Sequence, residues 1–229
     1  HVPPSQRDNV PAVRIALSVA VPLALLVAAG REDLTIYAAF GAFTAIYGRH
    51  LPTRQRFSVQ ARAGAILMAS ILLGAVLATV DAPLPVVLGA TSLVAAVGAV
   101  LAAAMRLVPA GSLFFIFAAG AIGSLGPDAV APLPVVAAVA LGSVLLSLVL
   151  GVVWRHVGEG PLDPSSPPAC PGLTRDQLAG HGGRFLVATA VAGAVGAMLG
   201  THHAYWAQVA AAAPIAAPTR RARLQRGVH

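Results

Sequence analysis

The feature that most constrains this chain is a succession of apolar runs separated by short polar breaks. A transmembrane helix needs about 20 mostly apolar residues. Runs at or near that length cover residues 13–30, 34–48, 63–80, 84–105, 109–125, 133–154, 185–200 and 204–217. The second and eighth are short for a full crossing. Between them, Arg31-Glu32-Asp33, Asp81-Ala82-Pro83, Gly126-Pro127-Asp128 and Gly200-Thr201-His202 form tight breaks that join neighbouring runs as hairpins. No run shows the period-two alternation of a membrane β-strand. With 57% hydrophobic and 10% charged residues, the chain has too little polar surface to coat a water-soluble domain. The pattern predicts an all-α, polytopic transmembrane bundle of eight spans.

The net charge is +7, all from arginine. A basic balance can mark a nucleic-acid partner, but here the arginines sit between apolar runs, where they act as topology signals. Arg7, Arg14, Arg49, Arg54, Arg56, Arg62, Arg106, Arg155, Arg175, Arg184, Arg220, Arg221, Arg223 and Arg226 all fall on one set of breaks and ends. The opposite set holds only Arg31, beside Glu32, Asp33, Asp81 and Asp128. The excess of arginine predicts that both ends lie in the cytoplasm, which requires an even number of crossings. The basic segment after the second run needs a partner span, which argues against a cleaved signal peptide at the start. Cys170 is the sole cysteine, so the sequence holds no internal disulfide, and no metal or cofactor is expected. The absence of lysine amid abundant Ala and Gly points to a bacterial source.

Residues 156–183 contain Pro161, Pro164, Pro167, Pro168 and Pro171 and read as a cytoplasmic linker. They separate a six-helix block, residues 1–155, from a second transmembrane segment, residues 184–229. The second segment echoes the first at an offset of 170: Arg14 and Arg184 open a run, and Gly30 and Gly200 close it. A polar turn and a short aromatic-bearing run follow in both. This is the pattern of a parallel repeat, as in transporters. The chain begins on His1 and stops within an arginine-rich stretch, so it is expected to be an N-terminal fragment whose second repeat is cut after two helices.

Tyr205-Trp206 after a short His-bearing turn, then Pro214, then the stretch from Thr219 through Arg220, Arg221, Arg223 and Arg226 to Gly227, resembles the second half of the fusaric acid resistance-like (FUSC) family. Tyr37, Gly48-Arg49, Arg54-Gln55-Arg56, Arg62 and Gly64 give a fainter echo in the first half. The resemblance implies export of aromatic carboxylic acids or related organic anions across the bacterial cytoplasmic membrane. Many members of that family carry a large cytoplasmic domain between their halves, where this chain has only its linker.

Short spans at matching places in two halves point to a binding site. The second and eighth runs therefore supply the candidate substrate path: Tyr37, Thr44, Tyr205, Trp206 and Gln208. Rings would stack on an aromatic solute, and hydroxyl or amide groups would bind its carboxylate. For Tyr205 and Trp206 the competing reading is an interfacial belt; for Gln208 it is a helix-to-helix hydrogen bond. On the path reading, Gln208→Leu and Tyr37→Ala reduce efflux and leave membrane abundance intact. Arg49, Arg54, Arg56 and Arg62, mirrored by Arg220, Arg221, Arg223 and Arg226, would attract anions to the cytoplasmic mouth, or serve topology and lipid binding alone. No Asp, Glu or Lys lies mid-span, so a passive channel is an alternative to a coupled exporter. A membrane assembly protein that moves no solute is a further alternative. No catalytic constellation marks an enzyme. The expected partners are the bilayer and a small organic anion, with homo-oligomerisation left open.

Overall fold

The computed structural model describes residues 4–49, 51–154, 174–201 and 203–215, with side chains from residue 11 onward. Its α-helices are α1 (Pro4–Ala28), α2 (Thr35–Ala42), α3 (Thr53–Thr79), α4 (Leu84–Ala104), α5 (Leu113–Gly123), α6 (Leu133–Val153), α7 (Arg175–Met198) and α8 (Tyr205–Ile215). Turns of 3-10 helix cover Glu32–Leu34 and Phe43–Ile46. The described residues contain no strand. Five helices, α1, α3, α4, α6 and α7, are long and apolar enough to cross a membrane.

Several boundaries differ from the expected ones. α3 begins at Thr53 rather than near residue 63, so Arg54, Arg56 and Arg62 lie on a helix and not in a loop. α7 begins at Arg175, inside the expected linker, because Thr174 and Gln177 form a capping box. Residues 155–173, which hold Cys170 and all five prolines of the linker, lie outside the described residues. α5 covers only Leu113–Gly123, shorter than the run 109–125 suggests. Among the described residues three helices, α2, α5 and α8, are thus short, and α8 is described only as far as Ile215.

The helices pack in two staggered rows. The long helices stand in the order α6, α3, α4, α7, and the short helices α2, α5 and α8 fill the grooves on one side of that row. α2 sits against α6 and α3, α5 against α3 and α4, and α8 against α7 and α4; α1 flanks α2 and α6. Glycines allow the close approaches. A Cβ on Gly41 of α2 would lie 2.5 Å from the Ala140 carbonyl oxygen of α6. On Gly120 of α5 it would lie 2.8 Å from Cβ of Tyr205 on α8.

The two ends of the bundle differ in charge. Gly48 N–H donates to the Val108 carbonyl at 2.7 Å, which joins the turn after α2 to the segment before α5. Arg56 donates to Gly151 O at 2.6 Å, which adds the end of α6. Arg14, Arg49, Arg54, Arg56 and Arg106 therefore gather at one end, and the antiparallel pairing of α7 with α4 brings Arg175 there as well. At the other end, Leu34 packs near Val130, Ala131 and Val135, and the turns carrying Asp33, Asp81 and Asp128 share that side. Arg62 and Arg184, expected in loops, lie inside α3 and α7, and Arg155, Arg220, Arg221, Arg223 and Arg226 lie outside the described residues.

α2 stops inside the bundle, and its last carbonyls must find partners there. Ser147 Oγ of α6 reaches Ala42 O at 3.3 Å, Gln60 Nε2 of α3 donates to Ala45 O at 3.3 Å, and Arg14 Nη2 donates to Arg49 O at 3.5 Å. The cationic Arg14 and Arg56 also suit the negative end of the short helix. At the opposite end, α1 and α7 close with the same paired turn. Gly30 (φ +66°) and Gly200 (φ +67°) occupy the left-handed position, and in each the next residue's N–H bonds a carbonyl five residues back.

Candidate functional site

The short helices carry the aromatic residues, and the rings form one connected series. Tyr47 lies 5.9 Å from Phe115 and 6.1 Å from Phe114 between ring centroids. Phe114 contacts Phe43 at 5.1 Å, Phe43 contacts Phe40 at 5.6 Å, and Phe40 contacts Phe117 at 5.1 Å. Phe117 then meets Trp206 at 4.8 Å and Tyr205 at 6.4 Å, and Tyr205 meets His203 at 5.8 Å. The series runs from the arginine-rich end of the bundle to the opposite end, through residues that extend from α2 and cross α5 to α8. These spacings suit edge-to-face and offset contacts.

The series has a buried edge and an open edge. Tyr47 and Phe115 are buried, as is Phe40. Phe43, Phe114 and Phe117 are partly exposed, and Trp206 is 50% exposed. Helical spacing explains the open edge: residues 36, 39 and 43, residues 114, 117 and 121, and residues 206, 210 and 213 each fall on one stripe. All nine are partly or fully exposed.

The five residues expected to line a path do not converge. Tyr37 is fully buried, and its hydroxyl accepts from Ala131 N–H at 3.1 Å, holding the start of α6. Thr44 is also fully buried; its Oγ1 faces Gly64 of α3 and has no hydrogen-bond partner among the described residues. Gln208 is enclosed between helices. Its oxygen accepts from Thr91 Oγ1 at 2.6 Å, and its nitrogen donates to Leu88 O and Ser92 Oγ, both at 2.9 Å. Gly193 of α7 makes room for it, since a Cβ there would lie 2.9 Å from Nε2. Only Tyr205 and Trp206 join the aromatic series.

The arginine cluster is likewise divided. Arg49, Arg54 and Arg62 are exposed. Arg56 is 2% exposed, and its guanidinium reaches the carbonyls of Gly151 and Leu51 and the hydroxyl of Thr53, so it ties α3 to α6. Arg220, Arg221, Arg223 and Arg226 lie outside the described residues, as does His202.

Phe114, Phe115 and Phe117 were not among the expected site residues. Their signal was present: three of the seven phenylalanines fall within four positions. Gln60 was missed because α3 was expected to start after it. The chain matches no protein-family model, no curated protein and no solved structure.

Proposed function

We propose that this chain belongs to the transmembrane portion of a bacterial exporter of the fusaric acid resistance-like type. It would move small organic anions, aromatic carboxylates in particular, across the cytoplasmic membrane, with the arginine-rich end inside. The observation that carries this reading is the row of three short helices joined by one aromatic series. Short helices among long ones are poor lipid-facing elements but good walls for a solute path. Aromatic side chains offer faces and edges to a flat ring. Exposed arginines at one end raise the local concentration of anions.

The test uses the full-length gene. Cells lacking it, loaded with a toxic aromatic acid, are expected to accumulate several-fold more of that acid than wild-type cells. Equal accumulation would contradict the exporter reading.

A further inference from the structure

We infer that α1–α3 and α4–α6 are two copies of one three-helix unit in opposite orientations, and that the block works by exchanging the closures at its two ends, as a carrier rather than an open channel. The repeat and its two closures stand on the fold alone; what the carrier moves rests on the exporter reading.

The argument starts from the order of the helices. Both units read long, short, long, and one offset of 76 residues aligns them. It carries the end of α1 at Ala28 onto the end of α4 at Ala104. It carries α2 and its 3-10 turn, residues 35–46, onto 111–122, where α5 covers Leu113–Gly123. It carries α3 onto 129–155, where α6 covers Leu133–Val153. The same offset takes Gly30 (φ +66°) onto Arg106 (φ +54°), so the first helix of each unit ends on a left-handed residue. In both, the next N–H bonds a carbonyl five residues back: Arg31 to Leu26 and Leu107 to Ala102, each at 2.8 Å. The units run in opposite directions, because α1 starts at the arginine-rich end and α4 finishes there.

Packing obeys the same exchange. α2 lies against α6 and α5 against α3, each short helix on the last helix of the other unit, while α3 and α6 pair with each other. On a two-fold axis the positions in contact are equivalent ones, separated by the offset itself. Phe40 meets Phe117, 77 positions on, at 5.1 Å, and a Cβ on Gly64 would lie 2.8 Å from Val144, 80 positions on. The axis therefore passes through the middle of the block, across the direction of its helices. Equivalent segments close the two ends. At the arginine-rich end the turn after α2 meets the segment between α4 and α5, through Gly48 N–H and Val108 O. At the acidic end Leu125, after α5, packs against the apolar cluster that holds Leu34, before α2. The ties across the ends differ. Arg56 bonds Gly151 O at the first, whereas the offset puts Pro132, which has no donor, at the equivalent position. The acidic end is held by the Tyr37 hydroxyl on Ala131 N–H. Inverted repeats give a transporter two conformations related by exchange of roles between the copies, so one end opens as the other tightens.

The experiment uses full-length protein with Cys170 changed to Ser and one reporter cysteine at a time. Ala102→Cys reports the arginine-rich end, where Ala102 is buried with Tyr47 and Leu107. Ala75→Cys reports the acidic end, where Ala75 is buried with Leu34 and Tyr37. The probe is N-ethylmaleimide on membranes, with and without Arg56→Gln. Removing this tie is expected to raise the labelling rate at Ala102→Cys several-fold and to lower it several-fold at Ala75→Cys. Tyr37→Phe, which releases the other end, is expected to do the reverse, and it carries the test where Arg56→Gln does not fold. Faster labelling at both reporters would mark a loosened bundle, and an unchanged rate at the far reporter would mark independent ends; either result overturns the exchange. Independent ends in a protein that exports refute this inference alone. Coupled ends in a protein that moves no aromatic acid refute the exporter reading alone.

Discussion

At the scale of residues, the polar side chains inside this bundle are occupied with the fold. Gln208 makes three hydrogen bonds to α4, and membrane hydrogen bonds are worth about 0.6 kcal/mol each, at most about 1.7. Gln208→Leu is therefore expected to lower membrane abundance and the detergent melting temperature together with efflux, which reverses the expectation that abundance stays intact. A normal melting temperature with lost efflux would return Gln208 to the solute path. Tyr37 gives a graded case. Tyr37→Phe removes the partner of Ala131 N–H, at about 1 kcal/mol, while Tyr37→Ala also opens a cavity at about 3–5 kcal/mol. Abundance should fall in that order; equal values for the two variants would mean the ring is not packed as described. On the exposed turn, Asp33 accepts from Arg31 at 3.0 and 2.8 Å, and that hydrogen bond holds its carboxyl below the usual range. The pair's small contribution is thus present at neutral pH and lost only as pH falls through the lowered value. Gln208 was legible in the sequence as an amide in an apolar run. Its partners were not, because a membrane Ser or Thr such as Thr91 or Ser92 can also bond a carbonyl of its own helix.

At the scale of elements, the fold depends on where α2 and α5 stop and on how α8 packs against α5. α5 packs on α8 across Gly120, so Gly120→Val must push Tyr205 outward or displace α8, at about 1–3 kcal/mol. The expected result is reduced abundance and loss of a cross-link between cysteines placed on α5 and α8; retention of both would show that α8 is loosely held. Arg56→Gln removes the guanidinium that links α3 to Gly151 O, and a hydrogen bond from a charged group is worth about 1.5–3 kcal/mol. Limited proteolysis should then cut near the end of α6 faster than in wild type, while an unchanged rate would deny the tie. The short α2 was legible from its run length, whereas α8 is described only as far as Ile215. The length of α5 was missed: residues 109–125 read as one apolar run, although Pro109 and Gly111 (φ +97°) break the helix before Leu113, and Leu107 and Ser112 pack into the bundle. The early starts of α3 and α7 were obscured by charge and proline. The capping box Thr174–Gln177 was a readable start signal.

At the scale of the molecule, the succession of apolar helices was the legible part, because the apolar runs encode it. Neighbourhood was not legible. α7 packs on α4, and α8 on α5, across separations of about 90 residues that no local pattern specifies. The two-row arrangement, and the aromatic series it assembles, follow from those long-range contacts. The account depends on α5, the shortest crossing in the first block, carrying the chain from the arginine-rich end to the acidic end. The direct measurement is a pair of fusions in the full-length protein, at Arg106 and at Asp128, each made with a reporter active only in the cytoplasm and with one active only outside it. The account predicts cytoplasmic activity at Arg106 and external activity at Asp128. The same compartment for both would show that α5 does not cross, and the arrangement of charge, rows and path would fail with it.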